Sequence, residues 1–131
     1  MTKKELKNLY YLKKEIKEQQ KRLEELEMLA TKCSNEISEI PNGNRILDKV
    51  GNYAVEIADL KRLLDLNLKK CFYELNRLQR FIQSVEDPLV KLIMIYRFEK
   101  NMSWVQIEIA IGGNNKAESL RKKLYRYLSY K

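Results

Sequence analysis

A seven-residue repeat of apolar side chains runs through the first quarter of the chain and restricts what that part can fold into. One row contains Leu9, Ile16, Leu23 and Ala30, and a second row, three residues further on, contains Leu12, Gln19, Leu26 and Cys33. Rows at this spacing form a narrow stripe along one face of an α-helix, the pattern of a coiled-coil seam. Gly and Pro supply only 4 and 2 of the 131 residues, so little in the chain would interrupt long helices.

Start and stop signals give the bounds of this helix and of the next one. Thr2 and Glu5 match a capping box, so the first helix is predicted to begin there. Its pattern ends near residues 34–35, and Pro, Asn and Gly at 41–44 predict a loop. A second helix is predicted from about residue 47 to about 85, a stretch with Gly51 as its one glycine and no proline.

The second helix carries a matching repeat. Its first row contains Val50, Ile57, Leu64, Cys71, Leu78 and Val85, and a further apolar row contains Leu68, Phe72, Leu75 and Ile82. The further row predicts that the C-terminal half of this helix buries two faces. We interpret the two helices as an antiparallel hairpin in which Gln19 and Asn67 come level, while pairing with a second copy stays open. Cys33 and Cys71 would then lie too far apart for a disulfide.

Positive charge is concentrated in the last third of the chain. Residues 88–131 contain 9 basic and 3 acidic side chains, whereas residues 1–87 contain 17 basic and 15 acidic ones, so the C-terminal part carries +6 of the total +8. The change falls at Asp87-Pro88, a pair typical of a helix start. We therefore predict a helical hairpin over 1–87, acting as scaffold or oligomerisation element, and a basic module over 88–131.

The basic module is predicted to contain three short helices. The first covers residues 89 to about 99. Ser103 and Gln106 form another capping box, which starts the second. Glycines and asparagines at 112–115 are expected to end this second helix. Asn115 is expected to cap a last helix that ends near Leu128. Two short helices separated by a glycine turn are typical of a helix-turn-helix, whose second helix enters the major groove of DNA.

The faces of the last helix differ in chemistry. Its apolar side contains Ala117, Leu120, Leu124, Tyr127 and Leu128. The residues expected to contact DNA are Asn115, Lys116, Ser119, Arg121, Lys122, Lys123 and Arg126. Lys and Arg neutralise phosphates and bond to guanine edges, although basic residues on an exposed helix are often only solvated surface. Trp104 is interpreted as a core anchor of the module.

Several segments together resemble a known kind of module. They are residues 92–98, 102–104, 120–123 and 127–128, with Ile107, Ile111 and Gly112, and the N-terminal runs 9–16 and 66–76. The C-terminal segments resemble the sigma-factor region 4-like helix-turn-helix in proteins of Gram-positive phages and prophages. The whole chain looks like an uncharacterised phage family that carries this module, related to RinA- and ArpU-type transcriptional regulators. The resemblance implies a DNA-binding transcription regulator in the cytoplasm of a bacterial host.

Other functions are weighed against this prediction. One alternative is a phage DNA-packaging or assembly protein similar to a small packaging subunit. Another is a factor that docks on RNA polymerase. An enzyme is not expected, because the chain has no His and its carboxylates, such as Glu24, Glu25 and Glu27, lie on a solvated helix face. No cofactor and no metal are expected. Double-stranded DNA is the predicted partner, a homodimer stays open, and no apolar stretch is long enough to predict membrane insertion.

Overall fold

The computed structural model describes residues 1–36 and 44–130, and every regular element in those ranges is a helix. The elements are α1 (Lys3–Glu36), α2 (Asn44–Gln83), α3 (Pro88–Met94), a π-helical turn (Ile95–Glu99) that continues α3, α4 (Trp104–Ile111) and α5 (Ala117–Ser129). The predicted all-α class is confirmed. The start of α2 lies three residues before the predicted one. Residues 41–43 of the loop predicted at 41–44 lie outside the described residues, and Asn44, its last residue, begins α2 instead.

The chain forms two compact units, and one of them combines two segments that are separate in the sequence. We call residues Met1–Lys13 and Lys70–Lys131 the terminal unit, and residues Lys14–Lys69 the rod unit. The helix boundary predicted at Asp87 is present. The terminal unit nevertheless includes the beginning of α1 and the end of α2, so it extends beyond the predicted module 88–131. The functional division at residue 87 stays a prediction.

In the rod unit, α1 and α2 run antiparallel. Asn67 Nδ2 donates to Gln19 Oε1 at 3.0 Å, and Lys61 Nζ lies 3.6 Å from Glu27 Oε1. A residue later in α1 therefore contacts a residue earlier in α2, as an antiparallel pair requires. The predicted polar layer is therefore confirmed. Ile16, Leu26 and Leu64 of the predicted seam are buried between the charged outer faces.

The core of the terminal unit brings together side chains from both ends of the chain. Those with at most 1% of their surface exposed are Leu6, Leu9, Leu78, Val90, Ile93, Met94, Ile107, Leu120 and Leu124. Burying an aliphatic side chain of this size contributes about 1.5–3 kcal/mol before entropy is counted. The first turns of α1 are thus part of the core that holds the basic helices.

The expectation of two buried faces along the second half of α2 is only partly met. Ile82 is buried, whereas Phe72 is 69% exposed and Leu68 is 43% exposed. Residues 68 and 72 therefore present apolar surface to solvent among the described residues. Cys33 and Cys71 are both free thiols.

Candidate nucleic-acid interface

The polypeptide enters the basic helices through a capped start. Asp87 Oδ1 accepts from the backbone N–H groups of Leu89 at 2.9 Å and Val90 at 3.4 Å, and Pro88 occupies the first turn of α3. Partial desolvation raises the pKa of Asp87, but these hydrogen bonds and the ammonium group of Lys123 outweigh it and hold the pKa below the ordinary value. Lys123 Nζ lies 3.4 Å from Asp87 Oδ2. Asp87 therefore already pairs with Lys123, one of the cations predicted to contact DNA.

The π-helical turn after α3 places Arg97 between aromatic rings. The Arg97 guanidinium carbon lies 3.9 Å from the ring centroid of Tyr10 and 4.9 Å from that of Trp104. Arg97 Nη1 also donates to the Met102 carbonyl at 3.0 Å. Single turns of π-helix often lie at functional sites. This one positions a cation over two aromatic faces, a contact that stabilises both the rings and the charge.

The beginning of α1 is attached to the end of the π-helical turn by hydrogen bonds. Lys13 Nζ donates to the carbonyls of Phe98, at 3.0 Å, and Glu99. Asn101 has a positive φ of 53° and its Nδ2 donates to the Tyr10 carbonyl at 3.1 Å. Partial burial lowers the pKa of Lys13. A cation at the C-terminal end of a helix satisfies carbonyls that have no partner within the helix.

The helix α4 begins as the sequence predicts. The Gln106 N–H donates to Ser103 Oγ at 3.2 Å and the Ser103 N–H donates to Gln106 Oε1 at 2.9 Å, so the capping box is confirmed. Ile107 is fully buried. Trp104 is half-buried and its ring centroid lies 6.4 Å from that of Tyr125, so it lines the edge of the core instead of filling its centre.

The predicted cap of α5 is wrong. Asn115 Nδ2 donates to the Gly112 carbonyl at 3.3 Å, and α5 begins at Ala117 with Lys116 as an N-cap residue that makes no side-chain hydrogen bond. The turn bends sharply because Gly112 and Gly113 have φ values of 71° and 68°. In this bend the Asn115 amide hydrogen-bonds within the turn, to the Gly112 carbonyl, and does not cap α5.

The helix α5 has one buried and one exposed face, as predicted. Leu120, Leu124 and Leu128 are buried against the rest of the terminal unit. The exposed residues on the other sides of the helix are Glu118, Ser119, Lys122, Lys123, Arg126 and Ser129, and Lys116 is exposed at the N-cap. Side chains three and four positions apart are neighbours on a helix surface, so Ser119, Lys122 and Arg126 form one continuous strip.

The seven residues predicted to contact DNA differ in what they already bind. Arg121 Nη2 and Nε donate to the two carboxylate oxygens of Glu118 at 2.6 and 3.3 Å, and this pairing lowers the pKa of Glu118. Asn115 and Lys123 are bound as described above. Lys116, Lys122 and Arg126 have no carboxylate oxygen within 4 Å among the described residues, and the charge of Lys122 contributes to the lowered pKa of Glu118. The structure therefore leaves three cations and Ser119 facing solvent on and beside the exposed strip.

A second basic surface, which sequence reasoning missed, lies beside α5. A groove of about 250 Å³ is lined by Lys7, Tyr10, Tyr11, Arg97, Phe98, Trp104, Arg121 and Tyr125. Lys3 Nζ lies 4.1 Å and Lys7 Nζ 5.3 Å from the ring centroid of Tyr125. We call this surface the aromatic groove. Lys7 lines this groove, and Lys3 lies beside it over the ring of Tyr125. Both lysines come from the helix that we predicted to be a scaffold or oligomerisation element, and no pattern in the sequence singled them out.

Two further features are absent from residues 1–36 and 44–130. No cluster of three or more His, Cys, Asp or Glu side chains there could hold a metal ion. None of the helices in these ranges combines the length and the apolar character needed to span a bilayer. Comparison of the chain with known protein families, curated proteins and solved structures gives no match.

Proposed function

We propose that the protein binds double-stranded DNA by inserting α5 into the major groove, and that it acts as a transcription regulator of a phage or prophage. The observation that carries the proposal is the exposed strip of α5. Lys122 and Arg126 on it have no carboxylate oxygen within 4 Å among the described residues, while Leu120, Leu124 and Leu128 pack the opposite face against the core. Their charge is thus available to an external anion.

The dimensions of α5 support this mode of binding. Its 13 residues span about 20 Å at ~1.5 Å per residue, and the helix diameter of about 10–12 Å matches a major groove about 12 Å wide. In such a complex Lys122 and Arg126 reach phosphates or guanine edges, and the short Ser119 allows close approach of the helix backbone. The resemblance to sigma region 4-like modules favours transcription over packaging.

The proposal is tested by fluorescence anisotropy on duplex DNA at several salt concentrations. If α5 and its flanks neutralise about five phosphates, the slope of log K against log salt is on the order of −4 to −5. The double variant Lys122→Glu, Arg126→Glu should weaken binding at least tenfold and leave the helical content measured by circular dichroism unchanged.

A matched control separates this face from net charge alone. Lys17 and Lys32 are exposed on the α1 part of the rod unit and make no ion pair with described residues, so Lys17→Glu, Lys32→Glu changes the charge equally. We expect this control to weaken binding much less. If the wild-type protein does not bind duplex DNA even at low salt, the proposed function is wrong. If both double variants lose affinity equally, binding does not use α5.

A further inference from the structure

The aromatic groove concentrates positive charge with little acidic compensation. Lys3, Lys7 and Arg121 surround the ring of Tyr125 at 4.1, 5.3 and 5.6 Å from its centroid. Glu118 is the acidic side chain that binds Arg121, and neither lysine has an ion pair among the described residues. Like charges held together in this way repel one another, so the cluster is suited to an anion from outside.

The groove is continuous with the exposed strip of α5. Tyr125 lies three positions after Lys122 on the same helix, which makes the two side chains surface neighbours. Arg121 directly precedes Lys122 and lies between the strip and the buried leucines. A helix seated in the major groove has a phosphate backbone on each side. The flank that carries Tyr125 faces one of these backbones, and Lys3 and Lys7 extend that flank.

The position of the lysines in α1 also argues against a purely structural role. The N-terminal turn of a helix carries partial positive charge, so acidic side chains are favoured there and cations are disfavoured. The first turns of α1 nevertheless contain Lys3, Lys4 and Lys7, with Glu5 supplying the capping carboxylate. Stability of the helix start alone therefore does not account for Lys3 and Lys4, which lie in its first turn.

We infer that Lys3 and Lys7 of α1 bind the phosphate backbone of the same DNA duplex that α5 reads, so that the first helix is part of the DNA interface. This inference rests on the proposed function. The contacts are to phosphates and carry no base information. They add affinity and salt dependence and leave sequence preference unchanged. The ring of Tyr125 is the surface against which the two ammonium groups lie.

The test compares the salt dependence of binding to one duplex for the wild-type protein and three double variants of the full chain. Each lost phosphate contact reduces the log–log slope by about 0.9, so Lys3→Gln, Lys7→Gln should reduce its magnitude by about 1.8. At 0.1 M salt the affinity should fall on the order of tenfold or more. The conservative variant Lys3→Arg, Lys7→Arg keeps both charges and should restore the slope. Lys17→Gln, Lys32→Gln is the matched control within α1.

The outcomes separate this inference from the proposed function. If wild-type protein fails to bind the duplex, both the proposed function and this inference are wrong. If wild-type protein binds and the slope of Lys3→Gln, Lys7→Gln is unchanged, the inference alone is overturned. The inference is also overturned if that variant loses binding to poly-glutamate and keeps full binding to the duplex, because the groove then serves an acidic protein segment. Circular dichroism before each titration verifies that all variants are equally helical.

Discussion

At the scale of single residues, Glu118 limits the positive charge of α5. It is the one acidic residue of that helix, and it holds Arg121 through two hydrogen bonds. Because this pairing lowers the pKa of Glu118 from an ordinary value of 4.5, the carboxylate stays ionised throughout the neutral range. Lowering the pH within that range therefore does not release Arg121. Its guanidinium becomes available to DNA only when the carboxylate is removed or displaced.

This competition gives a prediction for the variant Glu118→Gln. The substitution removes one negative charge beside the exposed strip and frees Arg121, so we expect tighter duplex binding and a log–log salt slope steeper by about 0.9. Anisotropy against the same duplex measures both quantities. Glu24→Gln, which changes an exposed carboxylate of the rod unit, is the control and should have little effect on the slope. A weaker or unchanged affinity in Glu118→Gln would show that Arg121 does not reach the DNA.

At the scale of elements, the signals that predicted helix starts correctly are local ones. The capping boxes at Thr2 and Ser103 and the cap at Asp87 all form, because each uses groups within three residues of one another. The start of α5 was predicted incorrectly. There the two glycines set a turn geometry that draws the Asn115 side chain to a carbonyl behind it. Several turn geometries suit the same residues, so the sequence does not specify this one.

The turn between α4 and α5 also gives a prediction. Gly112 combines φ 71° with ψ −163°, a region that is essentially restricted to glycine. Gly112→Ala should therefore reduce the free energy of unfolding by about 1–3 kcal/mol, although the added Cβ would meet no atom within 4 Å. Gly51→Ala lies inside α2, also with open space around the added Cβ, and should stabilise by about 0.5–1 kcal/mol.

Urea denaturation followed by circular dichroism measures both glycine variants. The two substitutions add the same methyl group, so opposite signs isolate the effect of backbone conformation from that of side-chain packing. Equal stabilities for wild type and Gly112→Ala would mean that the turn adopts another conformation in solution. The relative orientation of α4 and α5 depends on this turn, so a destabilised Gly112→Ala protein should also bind duplex DNA less well.

At the scale of the whole molecule, the part of the site that sequence reasoning missed is the part built from distant segments. The repeats predicted the pairing of Gln19 with Asn67, because regular helices give a regular register. Nothing in the periodicity indicates that Lys13 would bond to the carbonyls of Phe98 and Glu99, more than eighty positions away. Contacts of this kind depend on how irregular segments meet, and they determine which lysines lie beside α5.

These contacts predict that residues 88–131 do not fold alone. Leu6, Leu9 and Leu78, each with at most 1% of its surface exposed, come from outside that segment and belong to the core of the terminal unit. A chain this short buries too little surface to tolerate their loss. We expect the isolated fragment 88–131 to show low helicity and a broad, non-cooperative thermal transition by circular dichroism.

The matched comparison is a chain in which a short Gly/Ser linker joins residues 1–13 to residues 70–131. Leu12 and Lys70 line one cleft within the terminal unit, so a flexible linker can connect the two segments. This chain keeps the core, the exposed strip of α5 and the aromatic groove, and should melt cooperatively and bind duplex DNA with the salt slope of the full protein. If the fragment 88–131 melts cooperatively and binds as well as the linked chain, the basic module is independent. The first helix would then be a scaffold or oligomerisation element outside the DNA interface, as its repeat alone suggests.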